Sequence, residues 1–126
     1  MSDLLDDNHI EWAMGQKVFF VSTAPLSQDG HINCSPKGGD CFHFPNRDSF
    51  MYADYTGSGN ETISHINENG RILIRFCSFV GPPRIMRLHG KGRAILRGQP
   101  EFGVLRQLMP ENMGLRSIIN VSIERA

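Results

Sequence analysis

The chain is 126 residues long, enough to bury one core and too short for two, so residues 1–126 are read as a single domain whose ligand cleft is shallow or shared. Its 13 Lys and Arg balance 13 Asp and Glu, which leaves no electrostatic footprint for nucleic acid or an anionic membrane and favours a small-molecule or protein partner. Met1 to Asp7 is acidic and lacks an apolar signal core, no later run approaches the ~18 apolar residues of a membrane helix, and the 3 cysteines lack C-x-x-C spacing and suit reduced thiols. A cytoplasmic protein without a metal centre is therefore expected.

Leu4 to Met14 spaces Leu5, Ile10, Trp12 and Met14 among polar residues and ends at Gly15, the pattern of an amphipathic helix lying over one end of a barrel. KVFFVST (17–23) is apolar, β-branched and aromatic, a core strand stopped by Ala24-Pro25. Ser27 to Gly30 carries the Asp-Gly chemistry of a tight, positive-φ hairpin, so His31 to Ser35 should return antiparallel. Pro36 to Asp40 interrupts the pattern, Cys41 to Phe44 resumes it, and Pro45 to Asp48 makes another turn.

Phe50 to Tyr55 is the next strand, followed by a glycine turn and a helix to about Asn69, with Ser58 or Asn60 as N-cap and Asn69-Gly70 as its stop. Arg71 to Val80 and Arg84 to Leu96 are long strands separated by Gly81-Pro82-Pro83, and Gly90 and Gly92 predict a bulge or bend in the second. In strand register Ile85, Arg87 and His89 share one face of that strand and Arg84, Met86 and Leu88 the other. Neither face is cleanly apolar, so one is expected to meet a ligand or partner. Pro100 to Met109 fits a short helix and Leu115 to Ile123 a last strand. The expected class is mainly β (α+β), a mostly antiparallel barrel with helices at its ends.

Little of the chemistry matches a motif. Ser35-Pro36-Lys37-Gly38-Gly39 fails the phosphate-loop pattern because the lysine precedes both glycines. It reads equally as a surface turn or as backbone amides facing a flat ligand, with Lys37 supplying charge. His31, His43, His65 and His89 show no metal-ligand spacing, and no serine sits in G-x-S-x-G. Arg84 and Arg87 read either as solvated edge charges or as phosphate or carboxylate ligands. The glycine turn before the 60–69 helix is either an ordinary capped start or an anion site, since the first amides of a helix lack internal partners and carry the positive end of its dipole. No Lys or Arg lies between Met51 and Gly70, whereas Thr56, Ser58, Asn60 and Thr62 offer donors, so the turn from Tyr55 to Thr62 is the expected phosphate site.

The order of these pieces resembles the pyridoxamine 5′-phosphate oxidase-like proteins, the FMN-binding split β-barrels. The resemblance runs from about Lys17 to Ile123 and rests on VFFVSTAP (18–25), GHINCSPKG (30–38), ADYTGSGNET (53–62), Asn69-Gly70-Arg71 and GPPRIMRLHGKG (81–92). It implies a six-stranded antiparallel split β-barrel with two or three short helices, assembled as a homodimer with FMN in clefts at the subunit interface. By position, Asn33, Cys34, Ser35, Pro36, Lys37 and Gly38 would run beside the flavin ring, while Tyr52, Ala53, Ser58, Gly59 and Asn60 would surround the ribityl phosphate. Arg84 would approach from the next strand, toward the partner's flavin.

Two departures matter. The oxidase's Ser-Arg-Lys phosphate clamp is replaced by Gly57-Ser58-Gly59, and the chain stops at Ala126 without the carboxy-terminal segment that holds pyridoxal, so vitamin B6 oxidation is not expected. The resemblance implies an FMN-dependent oxidoreductase with a small-molecule substrate and a donor such as NAD(P)H. Its alternative is a non-catalytic split-barrel module that binds flavin, haem or a protein partner.

Overall fold

The computed structural model describes residues 5–38, 42–55, 60–78, 81–96, 98–106 and 115–125. The elements run α1 (Asp7–Met14), β1 (Val18–Thr23), β2 (Asn33–Gly38), β3 (Phe42–Asn46), β4 (Ser49–Tyr55), α2 (Asn60–Asn69), β5 (Arg71–Cys77), β6 (Ile85–Leu96), α3 (Pro100–Arg106) and β7 (Leu115–Arg125). All seven strands belong to one sheet of order β2-β1-β5-β6-β7-β4-β3, and every pairing is antiparallel.

The sheet curls on itself. Five strand spacings of about 4.8 Å would hold β1 and β3 some ~24 Å apart in a flat sheet, yet the rings of Phe19 on β1 and Phe42 on β3 lie 5.2 Å apart, edge to face. Phe19 also meets Phe50, Tyr52 and Phe76 at 5.5–5.6 Å. These rings fill the barrel because alternate residues of each strand point inward: Phe19, Val21 and Thr23 on β1, and Ile72, Ile74 and Phe76 on β5, are buried. The edge strands β2 and β3 are not paired to each other, so the barrel is split between them.

Helix α1 starts with a capping box, in which Asp6 accepts from the His9 amide at 2.9 Å and the Asp6 amide donates to His9 Nδ1 at 3.2 Å. The His9 amide holds the Asp6 carboxyl below the usual range. Helix α2 ends at Gly70, whose φ of +77° is the left-handed conformation that favours glycine. It packs over β6, where a Cβ on Gly92 would lie 3.1 Å from Ile66. Among the described residues no helix is long and apolar enough to cross a membrane.

Four expectations are corrected. The sheet has seven strands where the resemblance implied six. Strand β2 does not end at Ser35 but continues through Pro36 to Gly38, with Phe20 opposite Pro36; as an edge strand it loses no ladder bond to a proline that lacks an N–H. The β1–β2 connection is not a tight positive-φ hairpin: Gly30 donates to the Ser27 carbonyl at 3.2 Å, and only Gly70 and Gly81 have positive φ among the described residues. Strand β5 ends at Cys77, before Val80, where Ser78 turns the chain by donating its amide to the Arg84 carbonyl at 2.9 Å and its hydroxyl to the Pro82 carbonyl at 2.8 Å. The bulge in β6 does occur, with the β6–β7 register shifting between His89 and Gly90.

Candidate functional site

Strands β1 and β2 pair with Thr23 opposite Asn33, and both side chains face the amino-terminal half of α2. Thr62 and His65, three residues apart on α2, share the helix face turned toward them. The result is a continuous polar chain. The Asn33 Nδ2 donates to Thr62 Oγ1 at 2.9 Å and to Thr23 Oγ1 at 3.1 Å, the Thr23 hydroxyl meets His65 Nδ1 at 2.9 Å, and Ser35 Oγ donates to Asn33 Oδ1 at 3.1 Å. Thr23, Thr62 and His65 are buried and Asn33 is half-buried.

These bonds assign protons. Both hydrogens of the Asn33 amide are committed, and the Thr23 hydroxyl that accepts one of them also meets His65 Nδ1. Thr62 accepts from Asn33, and among the described residues its hydroxyl hydrogen has no acceptor; it lies in the first turns of α2, the positive end of the helix dipole. Ser35 and Lys37 follow Asn33 on the same half-buried side of β2. A hydroxyl donor, helix amides and a lysine on one side form a donor set that fits a phosphate and a polyhydroxy chain.

The other residues expected at the site divide in four. Cys34, Pro36 and Gly38 are exposed on the opposite side of β2. Tyr52 and Ala53 are interior, with the Tyr52 ring packed among Phe19 and Phe50, so their side chains belong to the core and are not open to a ligand. Tyr55 ends β4 and Asn60 starts α2, inside the helix and not before it, while Thr56, Ser58 and Gly59 lie outside the described residues. Arg84 is not beside the polar chain: its guanidinium sits 4.9 Å over the Trp12 ring of α1.

Sequence reasoning missed Thr23 and His65. The available signal was the three-residue spacing of Thr62 and His65, which places both on one helix face; their meeting with the last residue of β1 is a tertiary fact. On the outer face of the sheet a cleft of about 330 Å³ is lined by residues including Ser22, Ile32, Arg71, Leu73 and His89. Arg71 is held there by the Pro25 carbonyl at 3.2 Å and by Asn69 Oδ1 at 3.4 Å.

No protein-family profile matches the chain. It is 43% identical over 123 residues to the pyridoxamine 5′-phosphate oxidase family protein ustO of Aspergillus flavus, a match that covers 94% of this chain and 49% of that one. The chain thus spans about half the length of the curated relative it matches. Among solved structures, HupZ of Group A Streptococcus superposes with a TM-score of 0.73 at 18% identity, over 96% of this chain and 91% of that one. An FMN-binding protein of Syntrophomonas wolfei superposes with a TM-score of 0.66 at 13% identity, over 92% and 82%. At such identities the structures speak for the fold alone. With the curled antiparallel sheet and the 43% identity running through nearly all of it, the chain is similar in sequence and in fold to pyridoxamine 5′-phosphate oxidase-like proteins.

Proposed function

We propose that the chain binds FMN along β2 and the start of α2, and that it works as a homodimeric flavin oxidoreductase. The observation that carries this reading is the Asn33–Thr62 hydrogen bond. It joins two stretches 29 residues apart, and they are the two that the resemblance sets around the flavin and its phosphate. The similarity to a pyridoxamine 5′-phosphate oxidase family protein and the FMN named for the Syntrophomonas wolfei protein support the choice of cofactor. Bound there, FMN would supply hydride or electron chemistry. The chain's own residues would hold and orient it: Thr62 and the α2 amides at the phosphate, Ser35 and Lys37 along β2. The shared cleft is supported by large apolar side chains left in solvent, Ile32 at 78% exposure and Ile85 at 52%.

The test is a titration of FMN and riboflavin followed by flavin fluorescence, with NAD(P)H bleaching of the bound flavin as the readout of activity. Thr62→Val and Ser58→Ala should weaken FMN more than riboflavin, by roughly 1–3 kcal/mol where a hydroxyl meets an ionised phosphate oxygen. A protein that takes up no FMN sinks the flavin reading. If both variants keep their FMN affinity while Lys37→Ala abolishes it, the phosphate is held by the lysine and not by the helix start. Sedimentation at micromolar concentration with FMN present should give a dimer.

A further inference from the structure

His65 is a buried ionisable side chain that the flavin reading does not use. Its Nδ1 meets Thr23 Oγ1 at 2.9 Å, and it has no other hydrogen bond or ion pair among the described residues. Thr23 leads on to the candidate phosphate site. One nitrogen, Asn33 Nδ2, lies 3.1 Å from Thr23 Oγ1 and 2.9 Å from Thr62 Oγ1, while Oδ1 of the same amide receives the Ser35 hydroxyl at 3.1 Å. The two threonines are tied to one amide and must turn together: while Nδ2 faces them both accept, and with the amide turned over both would donate to Oδ1. A threonine hydroxyl has a single hydrogen, so Thr62 has one to offer an anion in the first arrangement and none in the second.

His65 stands at the far side of Thr23 and decides between the two. With Nδ1 unprotonated, the ring takes the Thr23 hydrogen, Thr23 accepts from Asn33, and the Thr62 hydrogen is left for a ligand. With both ring nitrogens protonated, Nδ1 donates to Thr23, whose own hydrogen then goes to Oδ1 of the turned-over amide. Oδ1 takes the Thr62 hydrogen as well, and Nδ2 passes to Ser35 Oγ. Both arrangements satisfy the chain, and they differ in whether a phosphate is offered a hydroxyl.

From this geometry we infer that His65 is the positioning residue of the phosphate site, acting through Thr23 and Asn33 to set the direction of the Thr62 hydroxyl, an inference that rests on the FMN reading. Protonation of the ring turns the donor away from the phosphate. Of the elements packed on α2, β1 has no ionisable side chain, and β5 and β6 bury Ile72, Ile74, Leu88 and Gly90 while Arg71, Arg75, Arg87, His89, Lys91 and Arg93 are exposed. On α2 itself Glu61 precedes Thr62 in the chain and Glu68 accepts from the Leu26 amide at 2.9 Å, and on β2 Lys37 follows Ser35 on the same side.

The test measures FMN and riboflavin affinity by flavin fluorescence from about pH 8 to about pH 5.5, the range in which histidine changes charge. As the pH falls, FMN should weaken about ten- to a hundredfold beyond riboflavin, the range for one lost hydrogen bond to a charged group. Part of such a fall belongs to the second ionisation of the phosphate itself. The deciding quantity is therefore the difference from His65→Gln, whose profile should follow the ligand alone. Thr23→Val keeps the imidazole and breaks the link, so it should show the His65→Gln profile, whereas Glu68→Gln should leave the profile of the unaltered protein within about twofold. In NMR of the unliganded protein the side-chain amide signals of Asn33 should shift in step with the His65 ring signals, and lose that dependence in Thr23→Val. An FMN profile of the unaltered protein that coincides with that of His65→Gln overturns the inference, as do Asn33 signals indifferent to the His65 ring. Absence of FMN uptake at every pH refutes the flavin reading and this inference with it, an outcome distinct from FMN that binds with a profile indifferent to His65.

Discussion

Replacing Asn33 with alanine should cost the fold more than any other single change at the candidate site, since its amide is the hub of the polar chain. Three bonds go at once, those to Thr23 Oγ1 and Thr62 Oγ1 and the one accepted from Ser35 Oγ. At about 0.5–1.5 kcal/mol net for each, partly offset because Ser35 can turn to water and Thr23 keeps His65, the expected loss is about 2–3 kcal/mol. The loss stays high because Thr62 and Thr23, at 2% and 3% exposure, have no water to replace the donor. For a chain of this size that is a fall in Tm on the order of 10 °C. Urea denaturation measures it, and Ser35→Ala, which removes one peripheral bond, should cost only about 0.5–1 kcal/mol. In a double-mutant cycle, Asn33→Ala and Thr62→Val should couple by about 1 kcal/mol, since they share one bond. Strict additivity, or a loss below ~0.5 kcal/mol for Asn33→Ala, would show that the chain is not formed in solution and remove the ground for placing a phosphate beside it.

Gly90→Ala should destabilise by about 1–3 kcal/mol or more, because the added Cβ would lie 2.2 Å from the Ser122 carbonyl oxygen of β7, and backbone on both sides must move; thermal unfolding reads this, and an unchanged Tm refutes the close approach. Gly70→Ala meets nothing nearer than 3.5 Å, so its cost of about 1 kcal/mol is the strain of φ +77° alone. The Arg93 guanidinium, at 2.6–2.8 Å in a double hydrogen bond, holds the Glu101 carboxyl below the usual range. A carboxyl with a lowered folded pKa contributes stability above its unfolded value and loses it as pH falls through the folded one, so the difference between the unaltered protein and Glu101→Gln should shrink in acid and in high salt. Arg84→Gln should red- or blue-shift Trp12 fluorescence and cost about 0.5–1 kcal/mol; an unshifted spectrum speaks against the stacking.

The elements were legible where local chemistry and tertiary demand agree. The run VFFVST became β1 and Asn69-Gly70 stopped α2, because strand propensity and left-handed glycine act locally. Pro36 misled for the opposite reason: proline is a breaker in a central strand and harmless at an edge, and the sequence does not say which strand is an edge. The candidate site was legible in its two stretches but not in its connection. Asn33 and Thr62 each look like ordinary polar residues, and only the sheet order, which sets β2 beside β1 and α2 across the barrel end, turns them into partners with Thr23 and His65.

Charge shows the same limit more sharply. A sum of zero over the chain argues against a polyanion as partner, and it does so correctly only for a uniform distribution. Here the antiparallel register gathers Arg75, Arg87, His89 and Arg125 onto one face: Arg75 is opposite Arg87, and His89 is opposite both Leu73 and Arg125. Apart from Glu124 on β7, the carboxylates lie off these strands, as with Asp6, Asp7 and Glu11 at α1 and Glu101 on α3. With a screening length near ~8 Å at physiological ionic strength, a carboxylate more than one such length away does little for an exposed guanidinium. A neutral chain can therefore gather its cations on one sheet face, and it is the pairing of strands, not the composition, that decides which residues share it.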